Sequence, residues 1–302
     1  MCNSLPIECQ LPAGFLDPEQ RAGFWVSEKL KKIWAIELDL LQQFQMICHK
    51  HGIKYQVFAG TLLGAVRHKG FIPWDDDLDV AMTRDEYEKF IRVAPLELKQ
   101  PYFLQTALSD RLYFFGYARL RNSLTTGAIS WFANAEYNNG IYIDIYVLDG
   151  RPKTAFQNFI QKKLLWVVSK LLLASCDHRN EAFSHRLCYG CLKPFASLIK
   201  YESRVQLYNC VAKMYNKQPE YLTQVTHGDW NYKYRIAVDA MDEFQMLDFE
   251  WMKVPVPKAY DSVLTQIYGD YMTMPPSEDR GKWHESLVHF EPDVPYMEFL
   301  GR

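Results

Sequence analysis

Four aspartates fall within five residues, Asp75, Asp76, Asp77 and Asp79, inside the stretch FAGTLLGAVRHKGFIPWDDDLDVAM that runs from Phe58 to Met82. No other feature restricts the fold as much. Carboxylates held this close raise one another's pKa and take up protons unless a cation compensates them. The chain as a whole carries a formal charge of -2, so its overall balance implies no nucleic-acid partner.

Periodicity around the acidic run indicates the elements that carry it. From Leu30 to Cys48 apolar residues recur at helical spacing, and HKHG at 49–52 reads as a helix stop at Gly52. Tyr55 to Ala59 is strand-like, Gly60 and Thr61 open a short helix through Val66, and Asp77 to Met82 alternates as a strand with one face in a cleft. Thr83 to Val93 reads as a helix, with Thr83 as N-cap and Glu86 completing a capping box. GIYIDIYVLDG, Gly140 to Gly150, is a β-branched and aromatic strand with a lone charge, Asp144, in its middle.

With 302 residues, 48% of them hydrophobic, the chain buries a full core as one large domain or two small ones. The N-terminal residues lack a basic start followed by an apolar run, and no uncharged apolar stretch reaches the roughly 18 residues of a membrane span. A cytoplasmic location is expected, with its seven cysteines as reduced thiols. Charge divides the remainder: residues 151–217 hold 12 Lys or Arg against three acids, a balance of +9, which leaves -11 for the rest. The expected organisation is a catalytic core over 1–150, a basic helical insert over 151–228 and a segment completing the core over 229–302.

On a strand, Asp77 and Asp79 point to the same side with about 7 Å between their Cα atoms, close enough to converge on a hard cation. Asp75 joins them if the strand begins early. A divalent metal, Mg²⁺ or Mn²⁺, resolves the repulsion; a solvated acidic turn is the alternative. Asp144, flanked by Ile143 and Ile145, needs a partner, because burying it alone costs several kcal/mol. A metal shared with Asp77 and Asp79 supplies one; a salt bridge to an arginine supplies the other. Gly60 permits close backbone approach, and the amides at the helix start around Thr61 can receive a phosphate. Arg67, His68 and Lys69 follow that turn, and Arg119 and Arg121 lie in ARLRNSLTTG; arginine forks suit phosphate oxygens. Strand, glycine turn, helix, paired aspartates and a third carboxylate on a later strand make up a nucleotidyltransferase-like site. The fold class is therefore α/β, a mixed sheet with flanking helices and an inserted helical subdomain.

The chain resembles the LicD/fukutin family of phosphotransferases through GTLLGAVRHKGFIPWDDDLDVAM, GIYIDIYVLDG and VPVPKAYDSVLTQIYGDYMTMPPSEDRGKWH, the last from Val254 to His284. The resemblance implies metal-dependent transfer of phosphocholine, or a phospho-alcohol such as ribitol phosphate, from a CDP-activated donor to a hydroxyl of a cell-surface glycan, with release of CMP. It assigns Asp77 and Asp79 as metal ligands together with Asp75. Asp144 becomes the third carboxylate, on a second metal or taking the acceptor's proton, and Arg280 and His284 become phosphate contacts. Animal members carry a membrane anchor, and the absence of one here suggests a bacterial, cytosolic member. A nucleotidyltransferase that moves NMP from an NTP and releases pyrophosphate is the alternative, and a catalytically silent binding protein is a third reading.

Three further expectations concern partners. Trp74, Trp131, Tyr137 and Trp283 lie near the motifs and are candidates for an aromatic cage around a choline cation. Phe156, Phe159, Ile160, Leu164, Val167 and Leu171 fall near one helical face beside Lys162, Lys163 and Lys170, and either pack as core or lie on an anionic bilayer carrying a lipid-linked glycan. Cys176, His178, His185, Cys188 and Cys191 are chemically apt for a structural zinc, against ordinary thiols and surface histidines.

Overall fold

A computed structural model describes residues 5–111, 113, 115–129, 137–174, 183–217, 219–225, 235–281 and 288–300, with the backbone alone at 183–188 and 288. Trp131, Cys176, His178, Trp283 and His284, and the side chains of His185 and Cys188, lie outside this description. Contacts divide the chain into two units. The first comprises Met1–Leu104, Arg119–Tyr146 and Asp239–Arg302, the second Gln105–Ala118 and Val147–Val238.

The first unit opens with an antiparallel pair, β1 (Glu19–Arg21) and β2 (Phe24–Val26), and a long helix, α1 (Glu28–His51). Ser27 caps α1 by accepting from the Leu30 amide, and the helix stops at Gly52, whose φ of 61° is open to glycine without strain. Every residue from Ile33 to Leu41 is buried, so α1 is enclosed on all sides there rather than on one stripe. β3 (Gln56–Val57) and α2 (Ala59–Arg67) lead through a loop to β4 (Asp79–Thr83) and α3 (Arg84–Glu97). β5 (Tyr102–Gln105), β6 (Ala118–Asn122), β7 (Thr126–Ile129) and β8 (Ile141–Gly150) follow. β4 lies between β3, to which it is antiparallel, and β8; β6 flanks β8 and carries β5 beyond it. Only Tyr146 interrupts the burial of β8, as suits a strand covered on both faces.

Two local expectations change. β4 begins at Asp79, so Asp75, Asp76 and Asp77 lie in the loop before it and the two-residue alternation does not apply to Asp77. One local and one tertiary bond hold that loop: the Asp75 amide donates to the Ile72 carbonyl in a turn, and the Trp34 indole donates to the Asp75 carbonyl, both at 2.9 Å. Thr83 is the N-cap of α3, but its side chain makes no capping bond, and Glu86 instead accepts from the Lys54 amide and the Lys89 ammonium.

In the second unit the end of β8 pairs antiparallel with β9 (Tyr221–Gln224) after three helices, α4 (Ala155–Leu173), α5 (Phe183–Ser197) and α6 (Tyr201–Ala212), and β10 (Ile236–Ala237) pairs with β9. A capping box that the sequence reading passed over, Thr154 with Gln157, starts α4. Its inner face is Gln161, Val168 and Leu172, packed with Val205, Tyr208 and Val211. The face traced by Phe156, Phe159, Ile160, Leu164 and Val167 is exposed.

The chain then completes the first unit with the hairpin β11 (Phe244–Phe249) and β12 (Met252–Pro257), then α7 (Tyr260–Tyr268), β13 (Val288–Glu291) antiparallel to β7, and α8 (Tyr296–Leu300). The architecture is α/β, with helices and mixed sheets. Among the described residues Cys9, Cys48, Cys191 and Cys210 are free thiols, and no helix is long and apolar enough to cross a membrane.

Candidate active site

The acidic run is built against α2. A Cβ at Gly60 would stand 2.8 Å from Asp75 Oδ2, so glycine lets that carboxylate lie against the start of the helix. Thr61 Oγ1 accepts from the Asp79 amide at 2.8 Å, and the Phe58 amide donates to the Asp79 carbonyl at 3.0 Å. The backbone of Asp79 is thereby held from both sides, and its side chain is buried.

A fifth carboxylate escaped the sequence reading. Glu37, fully buried on α1, has its pKa raised well above the usual range, first by burial and then by the charges of Asp77, Asp76, Asp75 and Asp79. Its Oε2 makes no hydrogen bond. The only signal in the sequence was an acid at a helix position whose neighbours are all apolar or buried.

Asp144 has an arginine partner. Arg119 Nε donates to Oδ1 at 2.6 Å and both side chains are buried, while the Tyr146 hydroxyl donates to Oδ2 at 3.3 Å. The Asp144 amide bonds the Leu78 carbonyl at 2.9 Å, which ties β8 to the acidic loop. The Tyr142 ring lies under both Arg119 and Arg121, 3.8 and 4.7 Å from their guanidinium carbons. Burial raises the Tyr142 phenol, and the charge of Asp77 is among those acting on it. Arg121 donates to the Gly140 carbonyl. Arg119 and Arg121 are thus buried in β6, serving Asp144, Tyr142 and the backbone, where the sequence suggested cations reaching for phosphate.

Arg280 and His68 lie against Trp74, the residue before the first aspartate. The Arg280 guanidinium carbon lies 4.8 Å from the centre of the Trp74 ring, and its nitrogens donate to the Pro275 and Ala22 carbonyls at 3.0 Å. Arg67 donates to His68 Nε2 at 2.9 Å and to the Tyr271 carbonyl at 2.7 Å. Burial, followed by Arg67, Arg21 and Arg280, pushes His68 down to about 4, so it is neutral at physiological pH and accepts from Arg67. Lys69 is exposed, and its charge acts on Asp248 of β11. Of the aromatic-cage candidates, Trp74 is already engaged by Arg280 and Tyr137 is buried.

Asp75, Asp76, Asp77 and Asp79, with Glu37 buried within reach of their charges, supply oxygen donors of the kind hard divalent cations take. Among the described residues, however, no three His, Cys, Asp or Glu side chains stand as a ready ligand group.

Residues 52–174, spanning α2, the acidic loop, β4 and β8, match the family described as LicD/FKTN/FKRP, nucleotidyltransferase domain. The chain is similar to the lipopolysaccharide cholinephosphotransferase LicD of Haemophilus influenzae, with 30% identity over 266 residues, 84% of this chain and 96% of that protein. An uncharacterized protein of Rickettsia prowazekii is 33% identical over 120 residues, 39% of this chain and 40% of its own length. Another, of Rickettsia typhi, is 43% identical over 81 residues, 26% and 25% of the two chains. The chain is an enzyme of the phosphotransferase class. It belongs to the LicD family.

Proposed function

We propose that this protein transfers phosphocholine, or a related phospho-alcohol such as ribitol phosphate, from a CDP-activated donor to a hydroxyl of a cell-surface glycan, releasing CMP. The observation that carries the reading is the acidic cluster of Asp75, Asp77 and Asp79, whose charges converge on the buried Glu37, in a segment that directly follows Trp74, the ring covered by Arg280. Choline is preferred over an alditol, and lipopolysaccharide as acceptor, because the similar Haemophilus protein is named for them.

Asp77 and Asp79, with Asp75, would hold Mg²⁺ or Mn²⁺. When bound, such an ion neutralises phosphate charge and favours attack at phosphorus. Arg67 and Arg280 bind the donor's phosphate oxygens, and the amides at the start of α2 assist them. Asp144, oriented by Arg119 and Tyr146, receives the proton of the acceptor hydroxyl. The acceptor oxygen forms a bond to the phosphorus bearing choline, the bond from that phosphorus to the bridging oxygen breaks, and CMP leaves with the electron pair.

Calorimetry of CDP-choline, CDP-ribitol and CTP, each with and without Mg²⁺, followed by product analysis, tests this. Binding of one CDP-alcohol only with metal, and CMP as product, supports the proposal and identifies the donor. Binding of CTP alone with pyrophosphate as product replaces it with nucleotidyl transfer, and binding of none of the three removes it.

A further inference from the structure

The second unit carries a surface that the chemistry above does not use. A helix that buries one stripe in its own unit ordinarily shows polar residues on the other. On α4 the inner stripe is Gln161, Val168 and Leu172, yet the opposite side presents Phe156, Phe159, Ile160, Trp166 and Val167 to solvent. Phe156 is 73% exposed and Trp166 58%, values that separate them from rings merely grazing the surface. Lys163 stands among them, its ammonium 5.6 Å from the centre of the Phe159 ring. The end of α5 repeats the pattern, with Phe195 and Leu198 exposed, the latter 83%, between Lys193 and Lys200.

Large apolar side chains clustered on a surface mark an interaction site. Their company decides the partner. Residues 151–217 carry 12 cations against three acids, so two copies of this surface would repel, and protein–protein interface cores are depleted in lysine. Rings beside a lysine on one helical face of a strongly cationic segment instead match a membrane boundary, where aromatic residues sit at headgroup depth and lysine stems reach outward to anionic headgroups. We infer that the second unit docks on an anionic lipid bilayer through this face of α4, with Phe156, Phe159 and Trp166 entering the headgroup–acyl boundary and Lys163 meeting the headgroups. The docking does not depend on which group the first unit transfers.

Co-sedimentation of the full chain with vesicles of phosphatidylcholine alone, or of phosphatidylcholine mixed with phosphatidylglycerol, tests the inference. The chain pellets with the anionic vesicles and not with the neutral ones. The Phe159→Ser, Trp166→Ser double variant loses roughly tenfold or more of that partitioning with an unchanged melting temperature, since neither ring is buried. Phe156→Ser serves as the readout if the double variant fails to fold. Absence of binding to anionic vesicles, equal binding to both kinds, or binding indifferent to these substitutions overturns the inference. So does a dimer in light scattering that the double variant abolishes without any vesicle binding, because the occupant is then a second copy.

Discussion

Glu37 places a carboxyl where burial and four neighbouring aspartates all oppose its ionisation. An acid whose folded pKa exceeds its unfolded value keeps a proton that the unfolded chain releases. Its stabilising effect is complete below the unfolded value of roughly 4.3 and is lost as pH rises through the window up to the folded value. Glu37→Gln is therefore expected to raise the melting temperature of chelator-treated protein near neutral pH, and to leave it nearly unchanged under acid conditions where Glu37 is protonated in both states. Melts across that pH range check this; equal shifts at all pH values would show that the aspartates do not act on Glu37. Asp77 is first among those charges, so Asp77→Asn relieves repulsion while removing a proposed ligand. Turnover is expected to fall at least about a hundredfold with the fold retained, and a variant of full activity would remove Asp77 from the site.

The two glycines of α2 separate packing from chemistry within one element. A Cβ at Gly64 would lie 2.4 Å from the Gly70 carbonyl oxygen, a backbone atom that cannot step aside without moving the loop. Gly64→Ala is expected to cost about 1–3 kcal/mol or more, measured as a lowered urea midpoint. At Gly60 the obstacle is the far end of the Asp75 side chain, which can swing away. Gly60→Ala should leave the midpoint nearly unchanged and reduce turnover, because Asp75 no longer rests against α2. α1 was legible because apolar residues recur through it at helical spacing, and β8 because it is a run of β-branched and aromatic residues. The onset of β4 was not, since the Trp34 indole, 41 residues away in the chain, helps hold Asp75 in a loop.

Across the whole molecule, the first unit is assembled from segments far apart in the chain. Arg21 makes a two-pronged ion pair with Glu250, 2.5 and 2.9 Å, joining β1 to the turn between β11 and β12, and Glu250 also accepts from the Phe71 amide in the loop leading to the aspartates. Arg21→Met leaves that buried carboxylate without its guanidinium and is expected to cost about 3–5 kcal/mol in a denaturation curve. Adding Glu250→Gln should recover part of the loss; no recovery would show that Arg21 acts through its packing on Trp34 instead.

Sequence alone determined the α/β class, the helix ending at Gly52, the long apolar strand around Asp144, the change of charge at 151 and the motifs that carry the family. All of these are written in neighbouring residues, through side-chain period, turn chemistry and composition. Only the tertiary structure decided that Asp144 pairs with Arg119, that Glu37 faces the aspartates, that Arg280 covers Trp74, and which face of α4 is buried. Each of these depends on which elements meet, and local periodicity describes a face of a helix or strand without naming what packs against it.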